Sequence, residues 1–461
     1  MKINKFIGDK AFYSRLFAVM IPILVQTLIT NFVNLLDNIM VGQVGTEQMS
    51  GVAIVNQLFF VYNLCIFAGV AGAGIMTAQY FGKGDIKGVA DTFRAKFIIS
   101  LVSCTLFMLA FHFADRALIS LFIHEGGESF DMASTLGFGR AYLSVMLFQM
   151  LPFAFEQVYV GTLRETNLAR VPMLAGIAAV FVNLILNYIL IFGKLGFRPM
   201  GVVGAAIATV IARYVECAII VVWTHLHSEE APFIVGVYRT LRVPSALAKQ
   251  IFVLGIPLLI NELLWAGGMT TLNQCYSMRG LEVVSAVSIS GTVSNLFFCA
   301  FISMGNSIAI LVGQVLGSGD LERAVDEDRK LIAFSVCLCA CVGVVMFLLA
   351  PVFPQIYNTT DGVKALAVKL LKIGGLLLPL NGFTNACYFT LRSGGKTLIT
   401  FLFDSVYLWV LCIPLAFVLS RFTALPIIPM YIVVQAMELV KCTLGFILVK
   451  NRTWVRDLVN T

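Results

Sequence analysis

The chain has 461 residues, of which 59% are apolar and only 12% are charged, with a formal net charge of +7. An ordinary soluble domain contains about 25% charged residues, so no fold in water could bury this much apolar surface. The composition therefore excludes a soluble enzyme, a disordered protein and a nucleic-acid-binding protein, and it indicates a polytopic membrane protein.

Twelve apolar segments follow one another along the chain, each long enough for the ~20 residues that a membrane-crossing helix needs. Glycine and proline occur inside several of them, which helices in lipid tolerate. The pattern predicts an all-α membrane protein with spans at 14–37, 51–78, 95–115, 134–160, 170–192, 201–224, 248–275, 284–314, 331–353, 366–390, 398–420 and 424–448.

The distribution of Lys and Arg indicates how these spans are oriented. With the N-terminus inside, the inner segments hold 22 of the 32 basic residues and the outer segments hold 8. The remaining two, Arg140 and Arg213, are assigned to the interior of spans, whereas basic residues near span ends are counted with the adjacent side. Because cytoplasmic loops collect Lys and Arg, both termini are predicted to be cytoplasmic.

The second half of the sequence repeats features of the first. At an offset of 235 residues, Pro22 matches Pro257, Gln79 matches Gln314, and Gly82-Lys83-Gly84-Asp85 matches Gly317-Ser318-Gly319-Asp320. Each half holds six spans, so both enter the membrane from the same side and form a parallel repeat. We expect an N-terminal lobe at 1–228, a C-terminal lobe at 229–461, alternating access and a substrate site between the lobes.

Several motifs carry a resemblance to a known family. They are Leu36–Gly45 (LDNIMVGQVG), Gly161–Arg164 (GTLR) with Asn183 and Asn187, Gly204–Thr209 (GAAIAT), Gly255–Pro257 with Asn261 and Glu262, and Leu391–Gly395 (LRSGG). Together they resemble the bacterial MATE (multidrug and toxic compound extrusion) transporters over essentially the whole chain.

The resemblance implies a V-shaped, two-lobe exporter in the bacterial inner membrane, driven by a proton or sodium gradient. Its substrates are expected to be drugs or other amphipathic, mainly cationic, organic compounds. The wider superfamily also contains flippases for lipid-linked oligosaccharides, which supply the alternative function. Such a flippase should expose a cationic groove for pyrophosphate.

Acidic residues inside the spans are the first candidates for function, because an ionised carboxylate in a membrane costs several kcal/mol. Asp37 ends a polar stripe formed by Thr27, Asn31 and Asn34 at spacings that share one helical face. The matching family position is an acid implicated in cation coupling. The alternative is an acid at the outer water interface. The other five acids are Glu156, Glu216, Glu262, Asp404 and Glu438.

Asn183 and Asn187 lie one helical turn apart on the fifth span, and Thr209 lies on the sixth. Amide oxygens, a hydroxyl and one carboxylate are ligands suited to a hard cation. The resemblance places these residues with Asp37 in a cation-coupling site of the N-terminal lobe. Where many relatives carry a second acid this chain has Asn187, which favours protons over sodium. The alternative is hydrogen bonding between helices.

Glu262, near the middle of the seventh span, is a candidate for substrate binding or for a second coupling site. Asn261 and the aromatic face of Trp265 flank it, and Asn34 of the first span joins the same group. The alternative is a protonated Glu262 bonded between helices. Arg213 with Glu216, and Glu438 with Lys441, are predicted to be structural ion pairs. Glu156 is expected at the cytoplasmic boundary.

The sequence lacks a nucleophile with a suitably spaced base, and it lacks a Walker pattern. We therefore expect neither an enzyme nor an ATP-driven pump. The expected partners are a small organic molecule and the lipid bilayer, without nucleic acid. No cofactor is expected beyond the coupling ion, no metal beyond a transient sodium, and the chain is expected to be a monomer.

Overall fold

The computed structural model describes residues 5–42, 46–120 and 132–460, without the side chains of Asn34, Leu35, Asn38, Ile39, Thr46 and Met132. Every regular element in this part of the chain is helical, which confirms the all-α prediction. The helices are α1 (Lys10–Gly42), α2 (Thr46–Lys83), α3 (Ile86–Phe113), α4 (Asp115–Ser120), α5 (Met132–Glu165), α6 (Arg170–Phe192), α7 (Gly201–Leu226), α8 (Ser245–Ser277), α9 (Leu281–Gly317), α10 (Leu321–Leu349), α11 (Asp361–Ser393), α12 (Thr397–Phe422) and α13 (Ile427–Lys450).

All of these except the six-residue α4 are long, which agrees with the twelve predicted spans. Eleven are long and apolar enough to cross a membrane. The other long helix, α11, has 33 residues and carries Lys364, Lys369 and Lys372 in its first half. Since charged side chains near a helix end can reach the interface, these lysines are compatible with a membrane helix.

The helices extend beyond the apolar runs that predicted them. α10 begins at Leu321, ten residues before the predicted span, because the side chain of Asp320 accepts a hydrogen bond from the backbone N–H of Arg323 at 3.1 Å. Thr360 caps α11 in the same way through the N–H of Val363 at 3.4 Å. Hydropathy marks only the lipid-embedded part of a helix, whereas capping sets where it begins.

The chain forms two compact units. Unit 1 contains Met1–Leu24, Ala78–Asp85 and Phe252–Thr461, and unit 2 contains Val25–Thr77 and Ile86–Ile251. The helices α1 and α2 therefore each contribute residues to both units. The predicted lobes, 1–228 and 229–461, follow the sequence repeat, whereas these units follow packing, so the lobe limits stay a prediction.

In unit 2, α5 packs against α3 and α7, and α6 packs against α7. The helix pair α6 and α7 is close enough that a Cβ on Gly204 would lie 2.8 Å from the carbonyl oxygen of Leu190. The turn between them begins at Gly193, whose φ of 67° favours glycine. This close approach brings the polar side chains of α6 and α7 together.

In unit 1, α11 packs against α9, α10 and α13. The inner end of α2 also belongs to this unit and crosses the end of α9 at reciprocal positions. A Cβ on Gly82 would overlap the carbonyl oxygen of Gln314, and a Cβ on Gly317 would overlap that of Gln79. The two glycines and the two glutamines are the pairs that the 235-residue repeat identified.

The C-terminal segment covers this crossing. Trp454 is buried, and the Gln79 side chain accepts from the backbone N–H of Leu458 at 2.8 Å and donates to the carbonyl oxygen of Ser393 at 3.0 Å. Lys83 donates to the carbonyl oxygen of Val459 at 2.8 Å. The segment after α13 therefore fixes the end of α2 within unit 1.

Candidate cation-coupling site

A partly open cavity lies in unit 2 between α1, α6 and α7. Its polar lining consists of Gln26, Thr30, Asp37, Asn183, Thr209, Arg213 and Glu216. Polar groups inside a membrane helix bundle are costly unless partners satisfy them, so a cavity lined this way marks a candidate functional site.

The four residues predicted for cation coupling are joined by hydrogen bonds in this unit. The amide Nδ2 of Asn187 donates to Oδ1 of Asp37 at 2.6 Å and to Oδ1 of Asn183 at 2.9 Å. The amide Nδ2 of Asn183 donates to the hydroxyl of Thr209 at 3.3 Å. The chain of hydrogen bonds therefore runs from the carboxylate on α1 through α6 to α7. Its two middle members, Asn183 and Asn187, are both buried.

This arrangement offers oxygen ligands to a cation. Oδ1 of Asn187 is buried and has no hydrogen-bond partner among the described residues. If the side-chain amide group of Asn187 rotated so that its oxygen and nitrogen exchanged places, Oδ1 would face Asp37 in place of Nδ2. Carboxylate, amide and hydroxyl oxygens are the donors that a hard cation prefers, and the same carboxylate can hold a proton instead.

The face of α1 around Asp37 differs from the sequence prediction. Gln26, Thr30 and Val33 line the cavity with Asp37, whereas Thr27 and Asn31 do not, so the predicted stripe is wrong in this respect. Eleven residues complete about three helical turns, which aligns Gln26 rather than Thr27 with Asp37. The side chain of Asn34 lies outside those that the structure describes.

Beside Asp37 the cavity continues into a group of charges. Arg213 donates to Glu216 at 2.8 Å, as predicted, and also lies 3.5 Å from Glu156. Glu156 lies nine residues before the end of α5 and is 2% exposed, so it is enclosed by protein, and its expected place at the cytoplasmic boundary stays a prediction. Sequence spacing could not detect this neighbour, because Glu156 is far from Arg213 along the chain.

A second polar cluster lies in unit 1 and connects α8, α11 and α12. Asn261 is 1% exposed and donates to the hydroxyl of Tyr388 at 3.3 Å and to Asp404 at 3.2 Å. Its side-chain oxygen accepts from the hydroxyl of Ser405 at 2.8 Å. Protein partners thus occupy the amide of Asn261, which was predicted to bind substrate or a second cation.

The other residues of that prediction are placed differently. Glu262 is half-buried and has neither a hydrogen bond nor an ion pair with the residues that the structure describes, and Trp265 is 41% exposed. The structure brings Asn261 to the cluster but does not bring Trp265 there. The substrate-binding role of this group stays a prediction.

The predicted Glu438–Lys441 pair is wrong. Lys441 donates to Asp404 at 2.7 Å instead, and Glu438 accepts from the hydroxyl of Thr384 at 2.5 Å. Asp404 lies within a π-helical part of α12, Leu402–Val406, where the wider turn changes the direction of the side chains. An α-helical pattern read from sequence does not include such a turn.

The part of the chain that the structure describes contains twelve long helices, with buried ionisable residues in both units, an arrangement typical of multi-pass membrane transporters. The MatE family model matches residues 22–189 and 257–418, one match in each half of the repeat. The chain therefore belongs to the MatE family, which confirms the resemblance and the parallel repeat.

Relatives of known name cover nearly the whole chain. The chain is 25% identical over 443 residues to a probable multidrug resistance protein NorM of Thermotoga maritima, covering 96% of this chain and 93% of that protein. It is 23% identical over 407 residues to the multidrug resistance protein MdtK of Pectobacterium atrosepticum, covering 88% and 87%.

A solved structure shows the same fold. An outward-facing multidrug resistance MATE family transporter of the MOP superfamily superposes with a TM-score of 0.86 at 20% identity, covering 98% of both chains. A MOP superfamily transporter from Pyrococcus furiosus gives a TM-score of 0.85 at the same identity and coverage.

Proposed function

We propose that this protein is a secondary active exporter of amphipathic, mainly cationic, organic compounds, driven by a cation gradient across the bacterial inner membrane. The observation that carries the proposal is the chain of hydrogen bonds from Asp37 through Asn187 and Asn183 to Thr209. The names of the relatives, which are multidrug resistance proteins, support the class of substrate.

Coupling follows from competition at one carboxylate. When Asp37 is ionised, it accepts the amide of Asn187 and attracts a cation from the outside. When Asp37 carries a proton or sodium, that attraction is neutralised, and the unit is free to adopt its other state. An exporter results if substrate and coupling cation favour opposite states.

A proton suits this site better than sodium. Asp37 is the single carboxylate in the chain of bonds, because position 187 carries a neutral amide. Arg213 lines the same cavity and adds positive charge. A proton forms a covalent bond with the carboxylate, whereas sodium depends on the negative charge of several ligands, so we infer coupling to protons.

A flippase for lipid-linked oligosaccharides is not proposed. Such a protein needs free cationic side chains for pyrophosphate, and the two arginines predicted within spans are engaged. Arg213 is paired with Glu216 at 2.8 Å, and Arg140 with Asp115 at 2.6 Å.

The decisive variant is Asp37→Asn, which removes the titratable group and keeps the shape of the side chain. We expect efflux driven by an imposed gradient to fall to the level of empty vesicles, because the site can no longer exchange a cation. Efflux of ethidium from proteoliposomes, measured separately with a proton and with a sodium gradient, tests this and identifies the ion.

Asp115→Asn is the matched control, since this acid lies in the short helix α4 and is paired with Arg140. Its efflux should equal that of the wild type. Undiminished gradient-driven efflux by the Asp37→Asn variant, at equal protein per vesicle, would remove Asp37 from the mechanism.

A further inference from the structure

Glu156 is a buried acid that the coupling site described above does not use. It is 2% exposed, and Oε2 is buried without a hydrogen bond to any described residue. Its nearest cation, Arg213, lies at 3.5 Å and donates its hydrogen bond to Glu216 instead. A carboxylate left in this condition inside a membrane protein is strongly disfavoured, whereas a protonated carboxyl is not.

Other charges face this acid from the packed helices and do not satisfy it. Arg164 of the same helix donates to Gln26 at 2.5 Å, and Lys96 of α3 is paired with Glu165. The ionisable groups of this cluster are Asp37 on α1, Lys96 on α3, Tyr142, Glu156, Arg164 and Glu165 on α5, and Arg213, Glu216 and Cys217 on α7.

The charges of this cluster do not balance. Four carboxylates (Asp37, Glu156, Glu165 and Glu216) face three cations (Lys96, Arg164 and Arg213), so full ionisation leaves one negative charge. Burial of an uncompensated charge costs several kcal/mol even after relaxation. One bound proton removes that charge. Asp37 accepts a hydrogen bond from the neutral amide of Asn187, and Glu156 lies 3.5 Å from Arg213, farther than Glu216 at 2.8 Å.

Arg213 connects the two acids. It lines the cavity with Asp37, one turn from Thr209 on α7, and it interacts electrostatically with Asp37 as well as with both glutamates. Glu216 lines the same cavity as Asp37, and Glu156 adjoins it through the shared contact with Arg213.

The second half of the repeat offers an internal comparison. Thr384 stands at the position of Glu156, 228 residues later, and Glu438 stands at that of Arg213, 225 residues later. In unit 1 the Thr384 hydroxyl donates to Glu438 at 2.5 Å, so that acid has a donor. The arrangement of two glutamates at one guanidinium is therefore absent at the equivalent positions of unit 1.

We propose that the Glu156–Glu216 pair is a second proton-binding site, which shares one proton with Asp37. When the O–H bond is at Asp37, Glu156 is ionised and is paired with Arg213. When Asp37 is ionised, the guanidinium turns toward it and the proton is bound by the glutamate pair. This deepens the proposed function and rests on Asp37 as the coupling carboxyl.

Infrared difference spectroscopy on the full-length protein in lipid nanodiscs tests the proposal without any substrate. The carbonyl stretch of protonated carboxylic acids, identified by its shift in D₂O, counts the protons. Relative to the wild type at neutral pH, we expect one protonated carboxyl fewer in either Asp37→Asn or Glu156→Gln, because each substitution balances the charges of the cluster and leaves other buried acids, such as Asp328, unchanged. Arg213→Gln should increase the count by one, a gain that misfolding cannot imitate.

The control is Asp115→Asn, which should keep the wild-type count. A Glu156→Gln variant that retains the wild-type band would show that Asp37 alone holds the proton and would overturn the proposal. A wild type without any protonated carboxyl would also overturn it. Neither outcome depends on efflux, so failure of this proposal is distinguishable from failure of the exporter function.

Discussion

At the scale of single residues, the proposed preference for a proton over sodium depends on the identity of position 187. The amide of Asn187 donates to both Asp37 and Asn183, so in this structure it serves as a neutral link rather than as a negative ligand. An acid at the same position would add a second negative charge and remove the donor. Two adjacent carboxylates repel each other unless a cation or a proton lies between them.

We therefore expect Asn187→Asp to create sodium-dependent stability. A ligand at one hundred times its Kd stabilises the folded state by about 2.7 kcal/mol. The thermal unfolding midpoint of the detergent-solubilised variant should rise with NaCl, compared with choline chloride at equal ionic strength, more than that of the wild type. Asn451→Asp, the same change at an exposed helix end, is the control. Equal responses of Asn187→Asp and wild type would contradict this assignment.

The residues of the coupling site were partly predictable from sequence. Asp37, Asn183, Asn187 and Thr209 were identified by helical spacing and by family resemblance. Gln26 and Thr30 were missed because a one-residue error in the face of α1 turns the helix by about 100°. The contact of Glu156 with Arg213 was missed because the two residues are on different helices, and helical spacing contains no information on contacts between helices.

At the scale of elements, the crossing of α2 and α9 depends on glycine. Gly82 and Gly317 each face a backbone carbonyl of the other helix with no space for a Cβ. Backbone cannot yield as a flexible side chain does, so the contact exists only with glycine at both positions. The reciprocal geometry follows from the repeat, because equivalent residues of the two halves meet each other.

Gly317→Ala should destabilise the protein by about 1–3 kcal/mol, the range for overpacking. Gly291→Ala is the matched control on the same helix, because a Cβ there meets nothing within 4 Å. That control should be neutral or stabilise by about 0.5–1 kcal/mol, since alanine favours a helix. Thermal unfolding in detergent measures both, and an unaffected Gly317→Ala midpoint would show that the helices separate without cost.

At the scale of the whole molecule, the distribution of charge predicts the orientation of the chain in the membrane. The predicted inner segments hold 22 basic residues and the predicted outer segments hold 8. Because membrane proteins concentrate Lys and Arg on the cytoplasmic side, the net charge of +7 does not require a nucleic-acid partner.

Reporter fusions test this orientation. Green fluorescent protein fused after the last residue should fluoresce, because it folds in the cytoplasm. Alkaline phosphatase fused after Phe197, in the turn between α6 and α7, should be active, because that turn is predicted to be outside. Fusion of the phosphatase after Arg242 is the inside control and should be inactive. The reverse pattern would invert the orientation.

The sequence by itself determined the class of the protein, the number of spans, the parallel repeat and the family, because hydropathy, loop charge and repeated motifs are local properties of the chain. It also identified four residues, Asp37, Asn183, Asn187 and Thr209, that the structure joins by hydrogen bonds. The tertiary structure alone decided which charged side chains of different helices contact each other. Lys441 pairs with Asp404 through a π-helical turn, and Glu156 joins Arg213 and Glu216 from another helix. Such pairings depend on how helices rotate and pack, and no periodicity in the sequence records that.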